Sequence, residues 1–531
     1  MRDDESVATS AHRAPEAPLA FAGALAGLAG LATSQGFVWA FSGESPLVAV
    51  ALAVRDFTPG SLAVRLVEIV RHLDKPLLIA GTAVIFLLIC ALAGVLSRRS
   101  TLLTDGIFFG LAVLGLLAEL RLDGAGLDAG IAVVVGLVTW LVCFRILSGP
   151  LLADSRGSSA GPASEPVVGG EDGGRSARPD RRQLLLRSGG VALGAVAAAA
   201  LGRLAGRGRE QVEQARRLLR LPVSAGRVPS GVDAGVEGIA PWRTPNARFY
   251  RIDTAFSPPA IKPNDWSVRI HGMVDREITL SYAELVDRQL TETWVTLCCV
   301  SNVVGGDLIG NAYWSGVLVR DLLAEAGVHP GADAVLQTSK DGWTCGTPLT
   351  ALTDDRNAML AVAMNGEPLP LEHGFPVRMV VPGLYGYVSA TKWLVDLEVT
   401  RFDQFSAYWT ERGWGAKGPV KTESRIDVPR GGAAVPSGPL AVGGSAWAQH
   451  TGIAKVEYQL DGGPWEQAEL GSVPNQDTWV QWSGRLEVSA GKHTLAVRAT
   501  DRTGETQTAV RSGVLPDGAT GWHTIDFEAE G

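Results

Sequence analysis

The sequence predicts a multi-domain chain with an N-terminal transmembrane α-helical bundle, a mixed α+β domain and a C-terminal β-sandwich. Three observations support this architecture. Long apolar runs are confined to the chain before residue 206, strand-like and helix-like periods alternate from Pro241 to Gln404, and short alternating strands follow after residue 415. A length of 531 residues accommodates three or four structural units.

The overall charge and the cysteine content exclude two classes of protein. The formal net charge is −8, whereas a nucleic-acid binder normally carries a basic stripe. Five cysteines in 531 residues are too few for a disulfide-stabilised scaffold. We therefore expect neither a nucleic-acid partner nor a disulfide framework.

Residues 1–147 carry four apolar runs that approach the length needed to cross a bilayer, about 20 predominantly apolar residues. The runs are Pro18–Phe41, Pro76–Leu96, Leu102–Leu120 and Gly130–Leu147. A shorter run, Pro46–Val54, is interrupted by Arg55 and Asp56 and is interpreted as a loop or a re-entrant piece. Several runs in close succession favour transmembrane helices, with membrane lipid as partner, over the alternative of a buried helix pair in a soluble core.

A polar stretch rich in Gly, Ser and Ala at 148–180 is typical of a flexible linker. It is followed at 181–206 by Arg181 and Arg182 and then by a weakly apolar run, Ser188–Leu201. Paired arginines before a mild apolar helix resemble a twin-arginine export signal placed inside the chain. The alternative is an ordinary helix with a basic flank, and in either case we expect a fifth transmembrane helix here.

Positive charge predicts the topology, because Lys and Arg are enriched on the cytoplasmic side of membrane proteins. If the N-terminus is cytoplasmic, the arginines that lie on the cytoplasmic side are Arg98, Arg99, Arg145, Arg181 and Arg182. The residues that disagree, in the first outer loop, are Arg55, Arg65, Arg71 and Lys75. The sequence thus predicts a multi-pass protein of the cell membrane whose α+β domain and C-terminal domain are extracytoplasmic.

A b-type haem within a helix bundle needs histidines that face each other. The only histidines before Ala240 are His12 and His72, and the sequence has no Cys-x-x-Cys-His motif. No haem is therefore expected. The bundle is interpreted as an anchor, a docking surface or a quinone-facing element without its own redox centre.

The α+β domain is predicted over 241–404 from the local periodicity. Strand-like segments include Trp266–His271 and Thr293–Cys298, and helical segments include Tyr282–Gln289 and Leu318–Glu325. This alternation of short strands and short helices is typical of a mixed α+β fold.

Several motifs occur in a fixed order within this domain. They are Thr296–Asn302, Gly310–Leu318, Asn365–Arg378, Val381–Gly386 and Thr391–Trp393. Together they resemble the sulfite oxidase-type molybdopterin family, whose signature is a metal-binding Cys, a nearby Asn and a downstream Gly-Asn-x-x-Trp-x-Gly. The resemblance extends from Asn246 to the C-terminus and implies a membrane-anchored bacterial form of that family with a molybdenum–molybdopterin cofactor.

The resemblance implies that Cys299 is the metal ligand, because it directly precedes the Val-Ser-Asn segment that ends at Asn302. In the family, a pterin dithiolene and one protein thiolate hold molybdenum, and thiolate is a soft ligand. Neighbouring residues of a strand point to opposite faces, so Cys298 is expected to point away as a packed thiol.

The resemblance also implies a set of pterin-binding residues, since a pterin phosphate needs charge-assisted donors. These residues are Asn246, Tyr250, Arg251, Thr338, His373, Arg378, Ala390, Thr391 and Lys392. For Arg378 and Lys392 the alternative is a surface ion pair, which would contribute under ~1 kcal/mol. His271 is interpreted as an ordinary strand histidine.

The substrate pocket is expected to differ from that of sulfite oxidases. The arginines that bind the oxyanion in those enzymes are replaced by Val303, Val304 and Tyr313, and Trp343 stands where they place an active-site tyrosine. A sulfite dianion would lose its charge partners here, which is costly in a partly desolvated pocket. We therefore expect a small-molecule substrate that is neutral or larger than sulfite, such as a sulfoxide or another oxygen-atom donor or acceptor. Asn302, Tyr313 and Trp343 are the pocket candidates, and no catalytic acid or base is assigned.

The C-terminal domain is predicted over 415–531. Val456–Leu460 followed by Asp461-Gly462-Gly463 is typical of a strand and hairpin turn, and His493–Ala499 leads through a turn into Glu505–Val510. Short strands with turn signals predict an immunoglobulin-like sandwich. In the resembled family such a domain mediates dimerisation, so the resemblance implies a homodimer that the sequence itself does not require.

The predicted function is that of a membrane-anchored molybdenum–molybdopterin oxidoreductase that catalyses two-electron oxygen-atom transfer outside the cytoplasm. Its electron partner would be a quinone or a redox protein. The alternative is a membrane-anchored binding or adhesion protein whose enzyme-like domain carries no cofactor. The presence of Cys299, His373, Arg378 and Lys392 favours the enzyme.

Overall fold

A computed structural model describes residues 16–41, 45–58, 74–121, 127–157, 181–205, 208–255 and 257–531. The chain divides into two compact units, Met1–Arg209 and Glu210–Gly531. Most of the predicted linker, at 158–180, lies outside the described residues, as do His12, His72, Arg65 and Arg71.

The first unit consists of helices. They are α1 (Glu16–Phe41), α2 (Pro46–Phe57), α3 (Asp74–Leu96), α4 (Thr101–Glu119), α5 (Leu127–Gly157) and α6 (Arg181–Ala205). Among the described residues, five segments are long and apolar enough to cross a membrane: Glu16–Val38, Lys75–Leu96, Thr101–Glu119, Gly130–Leu152 and Leu185–Gly202. These are the five segments that the apolar runs predict.

Glycine allows α1 and α3 to approach each other closely. A Cβ atom at Gly23 would lie 2.1 Å from the carbonyl oxygen of Cys90, and one at Gly94 would lie 2.1 Å from that of Leu19. Small residues at such crossings are typical of helices that associate in lipid, where close backbone packing replaces the hydrophobic effect.

Two local expectations in the first unit need correction. The loop expected at Pro46–Val54 was wrong, because this run forms most of the 12-residue helix α2, which ends at Phe57; the alternative of a re-entrant piece stays open. Pro46 stands in the first turn of that helix, where its missing N–H costs no hydrogen bond. The predicted linker start at residue 148 was also wrong, because α5 continues past Pro150 to Gly157.

The second unit begins with helix α7 (Gly208–Leu218), which overlaps its boundary. The α+β region contains ten strands: β1 (Ser267–Gly272), β2 (Ile278–Ser281), β3 (Thr291–Cys298), β4 (Ile309–Leu318), β5 (Ala334–Ser339), β6 (Thr344–Pro348), β7 (Met359–Met364), β8 (Glu367–Pro368), β9 (Arg378–Val380) and β10 (Leu394–Thr400). Three helices lie between them: α8 (Tyr282–Val286), α9 (Val319–Ala326) and α10 (Leu349–Thr353).

These strands form two sheets. One has the order β2-β1-β10-β5-β6, and the other has the order β3-β4-β7-β8 with β9 paired to β7. Strands β3 and β4 are antiparallel, from Thr291 opposite Gly316 to Cys298 opposite Ile309. The pairing stops at Cys298, so Cys299 is the first residue of the turn that follows.

The C-terminal region forms two further sheets. Its strands are β11 (Glu423–Val428), β12 (Ala434–Pro436), β13 (Gly438–Trp447), β14 (Ile453–Leu460), β15 (Glu466–Gln467), β16 (Glu469–Leu470), β17 (Val480–Val488), β18 (Gly491–Asp501) and β19 (His523–Glu530). The sheet orders are β11-β13-β17-β16 and β12-β19-β18-β14-β15. Apolar side chains of both sheets share one core.

The turn after β14 agrees with its sequence, since Asp461 and Gly462 have φ of 50° and 69°, as a tight hairpin requires. The expectation of a strand at Glu505–Val510 was wrong, because only Thr506 forms an isolated bridge, with Thr500.

The α+β region and the C-terminal sheets share a core, whereas the sequence predicts them as separate domains, 241–404 and 415–531. Trp447 and Trp479 belong to the same apolar cluster as Trp242 and Trp294. The indole N–H of Trp479 donates to the carbonyl oxygen of Trp242 at 2.9 Å. Changes in periodicity along a chain do not show which ends of two sheets will pack together.

Candidate active site

Cys299, Arg378 and Lys392 line one open cavity in the second unit, whose volume is about 840 Å³ when the solvent at its opening is included. Its walls come from the 249–254 loop, the 299–301 turn after β3, the β5–β6 hairpin, the 386–393 segment and residues 409–414.

Cys299 lines this cavity and Cys298 does not. The Cys299 N–H donates to Leu308 O at 2.9 Å, and its carbonyl accepts the Asn302 N–H at 3.0 Å, which fixes the turn. Burial raises the pKa of the Cys299 thiol, while hydrogen bonds from Ser301 and the charge of Lys392 oppose that rise. Because Cys298 is fully buried elsewhere, only one thiol of the pair can reach a ligand in the cavity.

Asn302 supports the turn instead of lining the cavity. Its side-chain Oδ1 accepts the backbone N–H of Leu308 at 2.9 Å, which closes the 302–308 loop. A buried amide that bridges a loop is a structural support, so its influence on the site acts through Cys299.

Arg378 is a buried cation without a protein anion. It is 4% exposed, and its Nη atoms donate to the carbonyl oxygens of His373 and Ala390 at 3.2 and 3.4 Å. Among the described residues, no carboxylate oxygen lies within 4.0 Å of it. Burial lowers the pKa of Arg378 to about 10. A guanidinium held this way favours binding of an anionic ligand.

Lys392 lies in a buried ion pair at the same wall. Its Nζ is 3.1 Å from Asp253 Oδ2, and the two side chains are only 10% and 5% exposed. Arg251 also reaches Asp253, with Nε to Oδ2 at 3.0 Å. Burial lowers the pKa of Lys392 to about 8, and Asp253 opposes that shift. Neither Arg378 nor Lys392 forms the surface ion pair considered as the alternative.

His373 is neutral at physiological pH. Burial, together with the charges of Lys392 and Arg378, lowers its pKa to about 3. Its Nε2 lies 3.0 Å from Asn246 O, and a carbonyl can only accept, so Nε2 carries the proton. His373 lies behind the cavity wall, where its carbonyl oxygen holds Arg378.

Gly374 allows the His-Gly segment to pack against both cations. Its φ is +107°, and a Cβ there would lie 3.0 Å from Arg378 Cβ and 3.1 Å from Lys392 Cα. We expect Gly374→Ala to cost about 1–3 kcal/mol from the strained φ, and more from displacement of the cations, so the melting temperature and the molybdenum content should both fall.

Gly331→Ala is the matched control, because Gly331 has φ +94° and nothing within 4 Å of its added Cβ. It should lose comparable stability and keep its metal. Equal metal content in the two variants would contradict the positioning role of Gly374.

Several residues expected at the pterin do not line the cavity. They are Asn246, Arg251, Thr338, His373 and Thr391. Asn246 bonds Met364 O and Asn365 Nδ2, and Thr391 Oγ1 lies 3.2 Å from Cys345 Sγ. Tyr250, Arg378, Ala390 and Lys392 do line it. A motif identifies a segment, but the direction of each side chain depends on the backbone around it.

Of the three pocket candidates, only Trp343 lines the cavity. The Tyr313 ring lies 5.0 Å from the Trp294 ring across the β3–β4 pair and covers Gly226, whose Cβ would overlap it. Tyr313 is therefore a packing residue of this sheet. His271, on β1, bonds Asp396 of the neighbouring strand at 3.0 Å.

Sequence reasoning missed part of the wall. The missed residues include Phe249, Asp253, Ser339, Asp341, Tyr387, Trp409 and Trp414. Ser339 Oγ is buried and has no hydrogen-bond partner among the described residues. The one available signal was the density of aromatic residues at 402–414, which includes Trp409 and Trp414.

Glu423 is a buried carboxyl group on β11, and its charge helps to raise the pKa of the Cys298 thiol. It is 4% exposed, and burial raises its pKa from 4.5 to about 8, with Lys421 opposing. The native state therefore holds a proton that the unfolded state releases, so stability is present below pH 4.5 and is lost as pH rises towards 8.

We expect Glu423→Gln to remove this loss and to raise the free energy of unfolding at pH 8 by up to about 5 kcal/mol. Thermal melting of the full chain between pH 5 and pH 8 measures it. Exposed Glu528 on β19 gives the control Glu528→Gln, which should leave the pH dependence unchanged. A steep pH dependence in Glu423→Gln would show that another group is responsible.

Comparison with known proteins agrees with this site. The family model described as oxidoreductase molybdopterin binding domain matches residues 255–409. Sulfite oxidase of Gallus gallus is 31% identical over 296 residues, 47% of this chain and 64% of that protein. The mitochondrial sulfite oxidase of Homo sapiens is 28% identical, over 48% of this chain and 55% of that protein. This chain thus spans less than two thirds of the length of these two relatives.

Two other similar proteins are bacterial. YuiH of Bacillus subtilis (strain 168), an uncharacterized oxidoreductase, is 34% identical over 153 residues, 29% of this chain and 74% of that protein. The sulfane dehydrogenase SoxCD of Paracoccus pantotrophus superimposes with a TM-score of 0.48 at 23% identity, over 59% of this chain and 88% of that chain. From the match to YuiH and the matched domain, this chain belongs to the family of sulfite oxidase-type molybdopterin oxidoreductases.

Proposed function

We propose that this chain is a membrane-anchored molybdenum–molybdopterin oxidoreductase that transfers an oxygen atom to or from a small molecule outside the cytoplasm. The observation that carries the proposal is one cavity wall shared by the Cys299 thiol and the buried guanidinium of Arg378. A soft thiolate suits molybdenum, and a buried cation without a protein anion suits the phosphate of a pterin.

The residues of the cavity fit this cofactor. Cys299 would bind the metal, Arg378 and Lys392 would bind the phosphate, and Tyr250 would contact the pterin. A polar ligand would also satisfy Ser339 Oγ, which otherwise remains buried without a partner. When bound, the cofactor supplies the two-electron chemistry of oxygen-atom transfer.

The chain itself positions these groups. Asp253 holds the Lys392 ammonium inside the wall, and the neighbouring Trp393 is kept at a left-handed φ of 51°. The indole N–H of Trp393 donates to Leu371 O at 2.9 Å, which offsets part of the strain. Strained backbone at a binding wall is typical of a preorganised site.

The cavity supports a substrate other than sulfite. Among the described residues that line it, the only cations are Arg378 and Lys392, and both are needed for the phosphate. Written for a sulfoxide, the reaction is R2SO + 2 H⁺ + 2 e⁻ → R2S + H2O, with the electrons supplied by a quinol or a redox protein. The reverse reaction would use water as the oxygen source.

Membrane anchoring rests on the five apolar segments and on the inner-side arginines. The twin-arginine-like pair at Arg181 and Arg182 precedes the last span, Leu185–Gly202, which supports export of a folded domain. These features favour an extracytoplasmic catalytic unit.

The strand orders of the two C-terminal sheets support an immunoglobulin-like sandwich, because consecutive strands such as β13 and β14, or β17 and β18, lie in different sheets that share one core. As in the resembled family, we include a homodimer through this region in the proposal.

Steady-state assays of the purified full chain test the function. Reduced viologen as electron donor with dimethyl sulfoxide should give turnover, whereas sulfite with ferricyanide should give little. Sulfite turnover above sulfoxide turnover would overturn the substrate assignment and leave a sulfite oxidase. No turnover with either, in molybdenum-free protein, would favour the binding or adhesion alternative.

A further inference from the structure

We propose that this cavity recognises a positively charged group on the substrate, through Asp341 and aromatic side chains that line the same cavity. The inference rests on the proposed oxygen-atom transfer and narrows its substrate to organic cations or zwitterions, such as a sulfoxide with a quaternary ammonium arm. The observation behind it is that a carboxylate without a cation partner lines the same cavity as several Trp and Tyr rings.

Asp341 occupies the tip of the β5–β6 hairpin. The Ser339 N–H donates to Trp343 O at 2.9 Å and the Gly342 N–H donates to Ser339 O at 3.0 Å, so the tip is a closed turn. Both Asp341 and Trp343 line the cavity from this turn. The hairpin therefore fixes a carboxylate and an indole next to each other.

The carboxylate of Asp341 lacks a cation of its own. Among the described residues, no Lys, Arg or His nitrogen lies within 4.0 Å of it, and its hydrogen bond is a long one, 3.5 Å to the Trp343 N–H. Asp253, the other carboxylate of the wall, is already paired with Lys392 and Arg251. Asp341 is thus the carboxylate that remains available to a ligand.

Aromatic rings also line this cavity. Tyr387 and Trp414 have ring centroids 5.8 Å apart, and Trp409 lies 6.2 Å from Trp414. Together with Trp343 they line the cavity. Faces of Trp and Tyr attract cations, and a cage of such rings beside a carboxylate is suited to an alkylammonium group that cannot donate hydrogen bonds.

The charged groups of the cavity favour different ligands. Arg378 and Lys392 favour the phosphate, whereas the carboxylate of Asp341 repels an anionic substrate. A sulfite dianion would meet this carboxylate without a compensating arginine. A cation with an apolar body would instead gain from both the carboxylate and the rings.

Calorimetric titration of the full chain with choline, and with its uncharged carbon isostere 3,3-dimethylbutan-1-ol, tests the inference without any need for turnover. We expect choline to bind at least tenfold more tightly than the isostere. Asp341→Asn should weaken choline binding about tenfold and leave the isostere unaffected, and Trp343→Ala should weaken both.

Asp307→Asn is the matched control, because Asp307 is exposed and does not line the cavity; it should bind choline as the wild type does. Equal affinity for choline and its isostere, or choline binding unchanged in Asp341→Asn, would overturn the inference. Turnover of a neutral sulfoxide with no preference for an ammonium-bearing one would likewise overturn it while leaving the oxygen-transfer function in place. Choline binding that depends on Asp341, in a protein that contains no molybdenum, would support the inference about this cavity and overturn the proposed oxygen-atom transfer.

Discussion

Cys299→Ser is expected to lower oxygen-atom transfer by at least about a hundredfold, because even supporting groups at metal sites contribute that much. Cys299 is the thiol of the adjacent pair that faces the cavity, at the end of β3 where the strand pairing stops. A serine oxygen is harder and less readily deprotonated than a thiol, so it is a poor substitute for a soft ligand. Initial rates with a sulfoxide, together with the electronic absorption of the metal centre, measure the loss.

Cys298→Ser is the matched control, because the change is identical and one residue away. Cys298 is fully buried outside the cavity wall, so this variant should lose stability but keep its absorption spectrum and its rate per bound metal. Similar losses of rate per metal in both variants would contradict the assignment of Cys299 as the ligand.

The second large effect is expected from Arg378→Met, which should raise the stability of the cofactor-free protein and lower the amount of cofactor that the protein retains. Burial moves the pKa of this guanidinium from 12.5 to about 10, which corresponds to a cost on the order of 3 kcal/mol in the cofactor-free protein. Methionine has a similar length and no charge, so cofactor-free protein should melt several degrees higher. The same variant should retain little pterin, because the phosphate loses its buried cation.

Arg269→Met provides the comparison for this test, since Arg269 lies on β1 in an exposed pair with Glu277. It should change neither the melting temperature of cofactor-free protein nor the pterin content appreciably. If Arg378→Met destabilised the cofactor-free protein, the guanidinium would be a structural residue with adequate partners instead of a site for an anion.

The sequence was sufficient to identify several segments that meet at the candidate site. The apolar runs correspond to the five segments that are long enough to span a membrane, and the motifs around Cys299, Arg378 and Lys392 all converge on one cavity. Such features depend on local periodicity and on residue order, which a single sequence displays directly.

The direction of individual side chains could not be predicted in the same way. Asn302 directly follows the 299–301 turn of the cavity wall, yet it holds a loop, and Tyr313 packs on Trp294. Asp341 and Trp414 come from hairpins and loops whose geometry depends on long-range pairing. The shared core at Trp447 and Trp479 likewise arises from contacts between segments distant in sequence.

The central claim is that this chain holds a molybdenum–molybdopterin cofactor, and its most direct test is elemental analysis. The full chain would be purified from a host that makes the cofactor and, in parallel, from the same host with pterin synthesis disabled. The account predicts near-stoichiometric molybdenum in the first preparation and none in the second. Protein that is folded yet free of molybdenum from the competent host would contradict it, and the membrane-anchored binding protein would then be the better interpretation.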